Sequence, residues 1–205
     1  MVTTLSLMER KRKEAADELV RTAMALYSRD GFEATTVEAI AAAAGCSPRT
    51  FYRYFGTKED VVFHDVPMVI GRLREALVEH LAEPVSLWTA VSEALVDVMG
   101  RLGADDEELS VQRMDLWLRE PALHARYIEH VTSAERAIVD VMCRHRGTRP
   151  DRDQLAQVMA IAAIGAYRTT VTTHVPARAK ERTKQLSSEL REVLATLGAG
   201  LEGAG

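Results

Sequence analysis

Apolar residues return every three or four positions along most of this chain, and no stretch alternates long enough to suggest a strand. Ala16, Leu19, Ala23 and Leu26 form one such stripe. Ser6 and Glu9 open it with capping-box spacing, which predicts a helix running to about Ser28. "RDGF" closes it, with Gly31 free to take the left-handed conformation that stops helices. Thr35 and Glu38 repeat the capping spacing before a short helix whose buried face is Val37, Ile40, Ala41 and Ala44. Gly45 ends it and Cys46 bridges to a third helix, which Ser47 caps and Pro48 begins. Phe55 and Gly56 end that helix. Thr57 and Asp60 open a fourth, "TKEDVVFHD", which Pro67 stops or kinks.

Beyond Pro67 the periodicity predicts helices over 67–82, 86–102, 106–119, 121–146, 151–175 and 178–197. Pro84, Gly103, Pro121, Gly147, Pro150 and Pro176 sit in or beside the breaks. The expected fold is all-α. A three-helix helix-turn-helix domain spans 1–58, a connector helix 57–65 and a larger helical domain 66–197. Residues 198–205, "GAGLEGAG", have little to bury and are expected to be a disordered tail.

Composition narrows this only a little. The 205 residues are 47% hydrophobic and 27% charged, as in an ordinary globular protein. Two cysteines, Cys46 and Cys143, are too few for a disulfide framework and lack metal-type spacing, so they read as reduced thiols. The N-terminal stretch has no apolar core before its basic cluster. The longest apolar run, Val158 to Tyr167, falls well short of the roughly 20 residues of a membrane span. The expectation is a cytoplasmic protein without a membrane partner. Net charge is -4, but residues 1–58 carry nine Lys or Arg against seven Asp or Glu, and the remainder 17 against 23. A mildly positive head on an acidic body suits a module that binds a polyanion.

The chemistry concentrates in "AAGCSPRTFYR", Ala43 to Arg53. At about 100° per residue, Arg49, Tyr52 and Arg53 fall in one outward sector with Thr50 at its edge. Phe51 and Phe55 share the opposite side. Two helices joined by a tight glycine turn, with a preceding helix to pack on, make a helix-turn-helix. Arginines and amides at the start of its second helix meet phosphates, and one or two side chains reach base edges. Thr36 and Lys58, each at a helix start, are placed to grip flanking phosphates. The bland alternative is a solvated helix face.

The segment "GFEATTVEAIAAAAGCSPRTFYRYFGTKEDVV" resembles the DNA-binding domain of the TetR family of bacterial regulators. The shared features are the G-F-x-x-T-T start, the I-A-x-x-A-G turn, the S-x-x-T-F/L-Y-x-Y/H-F recognition helix and the K-E-x-hydrophobic that follows. Cys46 stands where the family usually has a small aliphatic residue. The resemblance implies a homodimeric repressor on a palindromic DNA operator, released by a small hydrophobic effector. Recognition-helix contacts carry over to Arg49, Thr50, Tyr52, Arg53 and Tyr54, with Ser47 at the cap and phosphate contacts at Thr36 and Lys58. Tyr54 lies nearest the buried side of the wheel.

Farther along, "QRMDLWLREPALHARYIEHVTSAERAIVDVM" is similar to the subgroup that includes the mycofactocin-system regulator, and this suggests an acyl-CoA-like ligand class. Candidate ligand residues are the large or flexible Phe63, Trp88, Met99, Met114, Trp117 and Tyr127, with Arg113 or His64 for a polar head group. The Ala- and Gly-rich "MAIAAIGAY" and a leucine stripe after it predict the dimer contact, at Met159, Ala163, Ala166, Tyr167, Leu186, Leu190 and Val193. A monomeric core could use the same pattern. The chain carries no catalytic or metal motif, so no catalytic residue, metal or cofactor is assigned. Two alternatives stay open: a helix-turn-helix protein acting through a protein partner without an effector, and an all-helical enzyme.

Overall fold

The computed structural model describes residues 6–101, 107–173 and 179–202. Ten helices and no strand appear among them. They are α1 (Leu7–Asp30), α2 (Val37–Ala43), α3 (Pro48–Tyr54), α4 (Lys58–Val62), α5 (Val66–Leu81), α6 (Leu87–Arg101), α7 (Glu107–Arg119), α8 (Pro121–Arg146), α9 (Gln154–Thr173) and α10 (Ala179–Glu202). Gly103 and Pro176, expected in helix breaks, lie outside the described residues, as do residues 203–205. The chain forms two compact units, one of Met1–His64 with Gln112–His124, the other of Asp65–Val111 with Ala125–Gly205.

Local chemistry sets the short helices of the first unit. Thr36 accepts from the Ala39 amide at 3.1 Å and Ser47 from the Thr50 amide at 3.1 Å, so each side chain satisfies one amide that a helix start leaves open. Thr57 and Asp60 form the reciprocal capping box of α4. Gly31 and Gly45 take φ of 90° and 67°, the left-handed values that turn the chain out of α1 and α2. α1 packs on α2 and α4, and α2 on α3. Leu19, Val20, Ala23, Tyr27, Phe32, Ile40, Phe51, Phe55 and Val61 close the core between them.

In the second unit α6 is the central helix, with nine of its fifteen residues buried, packed on α5, α9 and α10. The indole N–H of Trp88 donates to the Leu194 carbonyl at 2.9 Å, and its ring lies so close to Gly198 that a Cβ there would meet it at 2.6 Å. This contact helps explain why α10 runs on to Glu202 rather than giving way to a tail at 198. The glycine-rich end has something to pack on after all.

The start of α9 also differs from expectation, beginning at Gln154 rather than 151. Asp153 is the reason. Its Oδ1 accepts from the Ala156 amide at 3.0 Å, while Oδ2 takes the Thr148 hydroxyl at 2.6 Å and faces Arg146 Nε at 3.0 Å. The Thr148 hydrogen bond first, then the Ala156 amide, holds this carboxyl below the usual aspartate range. A depressed folded-state pKa means that the stabilisation is complete above the unfolded value and disappears as pH falls through the folded one. Asp153→Asn is therefore expected to lower the melting temperature at neutral pH, and the gap from wild type should close as acid protonates the folded-state carboxyl. Circular dichroism melts from neutral to acid pH check it. A gap independent of pH would remove the carboxylate from the explanation.

Candidate nucleic-acid interface

The helix-turn-helix is built by α2, the Gly45 turn and α3. Backbone bonds from Gly45 to the Ala42 carbonyl at 3.1 Å and from Cys46 to the Ala41 carbonyl at 2.9 Å close the turn. On α3 the two faces separate as the sequence predicts. Phe51 is fully buried and Phe55 nearly so, their rings 5.4 Å apart, which fixes the rotation of the helix against its neighbours. Arg49, Tyr52 and Arg53 are exposed, Tyr52 at 54%. Among the described residues, neither the Arg49 guanidinium nor the Tyr52 hydroxyl has a hydrogen-bond partner, and Arg49 faces no carboxylate. Thr50 is half-buried, with its hydroxyl 3.0 Å from that of Ser47.

Tyr54 sits between the faces. It is half-buried, its ring lies 5.1 Å from the Arg53 guanidinium carbon, and its hydroxyl accepts from Arg53 at 3.3 Å. Thr36 is exposed at the α2 cap.

Lys58, expected at a phosphate, is engaged within the protein. Its ammonium donates to the carbonyls of Phe32 at 2.8 Å, Thr35 at 3.1 Å and Glu33 at 3.3 Å, and lies 4.4 Å from the centre of the Phe32 ring. Its own carbonyl accepts from the Tyr27 hydroxyl at 2.9 Å. Burial, followed by the Glu59 charge, raises the pKa of that tyrosine, so it stays a donor.

The residues expected at a ligand fall in both units. Phe63, His64, Arg113, Met114 and Trp117 belong to the first unit, and Trp88, Met99 and Tyr127 to the second. His64 stands with Nε2 3.6 Å from Asp17 and its ring edge-on to Phe55 at 5.4 Å. Trp88 is occupied by α10, as described. Arg113 is buried. In the second unit Tyr127 and Tyr167 have raised pKa values, chiefly through burial. For Tyr127 the nearby Arg168 opposes the shift, and for Tyr167 the Tyr127 and Asp65 groups add to it.

The residues expected at a dimer contact differ in their exposure within the protomer. Ala163, Ala166, Leu186 and Leu190 are buried within the protomer, and Met159 and Tyr167 are half-buried; only Val193 is exposed. The alanine side of α9 is used inside the protomer, where small side chains let helices approach. The outward side carries Leu155, Val158 and Ile161, at 45%, 56% and 59% exposure, and α10 adds Leu197 beside Val193. The spacing of three between those α9 residues, with Gln154 and Gln157 interleaved, was the available signal.

Comparison with known proteins agrees with this anatomy. Residues 19–64 match the family described as bacterial regulatory proteins, tetR family, and residues 85–202 match the MftR C-terminal domain. The HTH-type transcriptional regulator TcmR of Streptomyces glaucescens is 33% identical over 152 residues, which span 72% of this chain and 67% of TcmR. The mycofactocin biosynthesis transcriptional regulator MftR of Mycobacterium tuberculosis is 23% identical over 200 residues, 96% of each chain. Among solved structures, the SmeT–triclosan complex superposes with TM-score 0.60 at 17% identity, covering 89% of this chain and 91% of SmeT. FadR of Thermus thermophilus, in complex with lauroyl-CoA, gives 0.55 at 23% identity, covering 89% and 92%. With an outward Arg–Tyr–Arg face on a helix-turn-helix and matches that run from residue 19 to residue 202, this chain belongs to the tetR family of bacterial regulatory proteins and is a transcriptional regulator rather than an enzyme.

Proposed function

We propose that the regulator is a cytoplasmic homodimeric repressor that binds a palindromic DNA operator and is released by a small hydrophobic effector. The observation that carries the DNA reading is the outward face of α3, where Arg49 and Tyr52 are exposed and have no hydrogen-bond partner among the described residues while Phe51 and Phe55 hold the helix from behind. Arginine pairs with guanine edges or phosphates, and the hydroxyls of Thr36, Ser47 and Thr50 suit phosphate oxygens. Arg53 and Tyr54 extend the same surface. Operator selection from a genomic DNA pool at two salt concentrations tests this reading. An enriched inverted repeat whose binding weakens steeply with salt is expected. No enriched sequence at either salt would overturn it.

In a dimer the two recognition helices must lie about 34–36 Å apart to enter successive major grooves. The outward Leu155, Val158 and Ile161 of α9, with Val193 and Leu197 of α10, are the proposed contact with a second copy. Ile161→Glu would bring a carboxylate into that apolar contact, where unpaired charge costs several kcal/mol. The expected result is a monomer by light scattering, with unchanged helicity. A mass unchanged from that of the wild-type dimer would remove this face from the interface.

The proposed effector is an acyl-CoA-like molecule. Support comes from the match of residues 85–202 to the MftR C-terminal domain and from two proteins of this fold, one solved with lauroyl-CoA and one with triclosan. Within the second unit, Trp88, Met99 and Tyr127 are the proposed contacts. An effector that favours a conformation with a different helix spacing lowers operator affinity by the ratio of its two affinities. α4, the last helix before the second unit begins, is the proposed moving link. Lauroyl-CoA titrated into the operator complex is expected to release the DNA. Release by a short acyl-CoA but not by a long one would redirect the search to a smaller, more polar site.

A further inference from the structure

We infer that Lys58 is a positioning residue, a clasp that joins α4 to the start of α2, and not a ligand for a DNA phosphate. An ammonium has three hydrogens. Here the carbonyls of Phe32, Thr35 and Glu33 engage all three, at 2.8, 3.1 and 3.3 Å, and the Phe32 ring covers another side at 4.4 Å. Those carbonyls belong to the turn between α1 and α2, outside either helix's own hydrogen-bond ladder; the Phe32 carbonyl also accepts from the Thr35 amide at 3.3 Å, and the lysine supplies a charged donor to all three. A phosphate could take this ammonium only by stripping the turn of its donors.

The clasp is reciprocal. Tyr27, near the end of α1, donates to the Lys58 carbonyl at 2.9 Å, and Thr35 donates its hydroxyl to the Gly31 carbonyl at 2.8 Å. The next residue is Thr36, whose side chain caps α2 through the Ala39 amide. The first turn of α4, the α1–α2 turn and the α2 cap are therefore one hydrogen-bonded body. A displacement of α4 reaches Thr36 directly through Lys58, independently of the packing of α3. In functional terms this rests on the proposed DNA reading: the signal that frees the operator would move the α2 cap as well as the recognition helix.

The two roles of Lys58 respond differently to substitution. Lys58→Arg keeps the charge, and arginine serves a phosphate at least as well as lysine. Its flat guanidinium cannot direct three hydrogens at three carbonyls around one point. Anisotropy with the selected operator, from about 50 to 200 mM salt, separates the roles. As a clasp, Lys58→Met and Lys58→Arg both weaken binding by about tenfold, the equivalent of one charge-assisted hydrogen bond, and the salt slope stays at the wild-type value. As a phosphate contact, Lys58→Arg restores affinity, and Lys58→Met reduces the slope by about one per protomer; that result overturns the proposal. If both variants melt lower yet bind as wild type when folded, Lys58 is only a stabilising residue, and the positioning role fails. A wild-type protein that selects no operator counts against the DNA reading alone. The clasp is then judged by hydrogen exchange, where Lys58→Met should accelerate the Ala39 and Ile40 amides, and unchanged protection would overturn it.

Discussion

Arg49→Ala and Tyr52→Ala are each expected to abolish measurable operator binding at physiological salt and to leave the fold intact. The side chains project from α3 into solvent, and the Tyr52 ring gives up only an edge contact with Phe51 at 5.7 Å when truncated. Stability should therefore change by well under about 1 kcal/mol, as is usual for surface positions. The loss in binding is larger because a dimer presents each side chain twice. A good base contact contributes about 1–3 kcal/mol of discrimination, so two copies amount to about 2–6 kcal/mol, or roughly 30-fold to 10⁴-fold in affinity. Fluorescence anisotropy on the specific site, with a parallel thermal melt, separates the two effects. Wild-type affinity in both variants would sink the assignment of α3 as the reading helix.

Phe51→Ala, one position away, should do the reverse. Phe51 is completely buried against Phe55 on the inward side of the same helix. Removing such a ring costs about 3–5 kcal/mol through lost transfer energy and the cavity left behind. A head of this size, at roughly 0.05–0.15 kcal/mol per residue, holds about 3–10 kcal/mol in total, so the loss is a large share of it. The variant is expected to lose protection in the amides of α1–α4 while the second unit keeps its own, and to lose operator binding because the reading surface is no longer held. Hydrogen exchange resolved by region is the decisive readout. Loss of protection throughout both units would mean that the head does not melt separately.

The contrast between these neighbouring residues was legible in the sequence, because a seven-residue helix capped by Ser47 and started by Pro48 has its rotation set by two phenylalanines four apart. Boundaries were legible for the same reason. Ser47 and Thr57 as caps, and Gly31 and Gly45 at left-handed φ, act within three or four residues of themselves; the cap of α2 is Thr36 and not the expected Thr35, whose hydroxyl turns back to the Gly31 carbonyl. Local hydrogen bonding and steric limits need no tertiary partner, so the sequence by itself determined the helix order, the helix-turn-helix and the outward face of α3.

Direction across longer distances was decided only by the tertiary structure. α9 carries apolar residues on both sides, and periodicity cannot say which side the protomer buries; α6 and α10 took the alanines and left Leu155, Val158 and Ile161 outside. Lys58 reads locally as a cation at a helix start, placed to grip a phosphate, yet its ammonium reaches carbonyls 23 to 26 residues earlier. Gly198 reads as the start of a loose tail, yet Trp88, far back along the chain, packs on it. In each case the side chain's chemistry was visible in advance and its partner was not. A long side chain takes its energy from whatever the fold brings within about 3–4 Å, and only the assembled helices fix that.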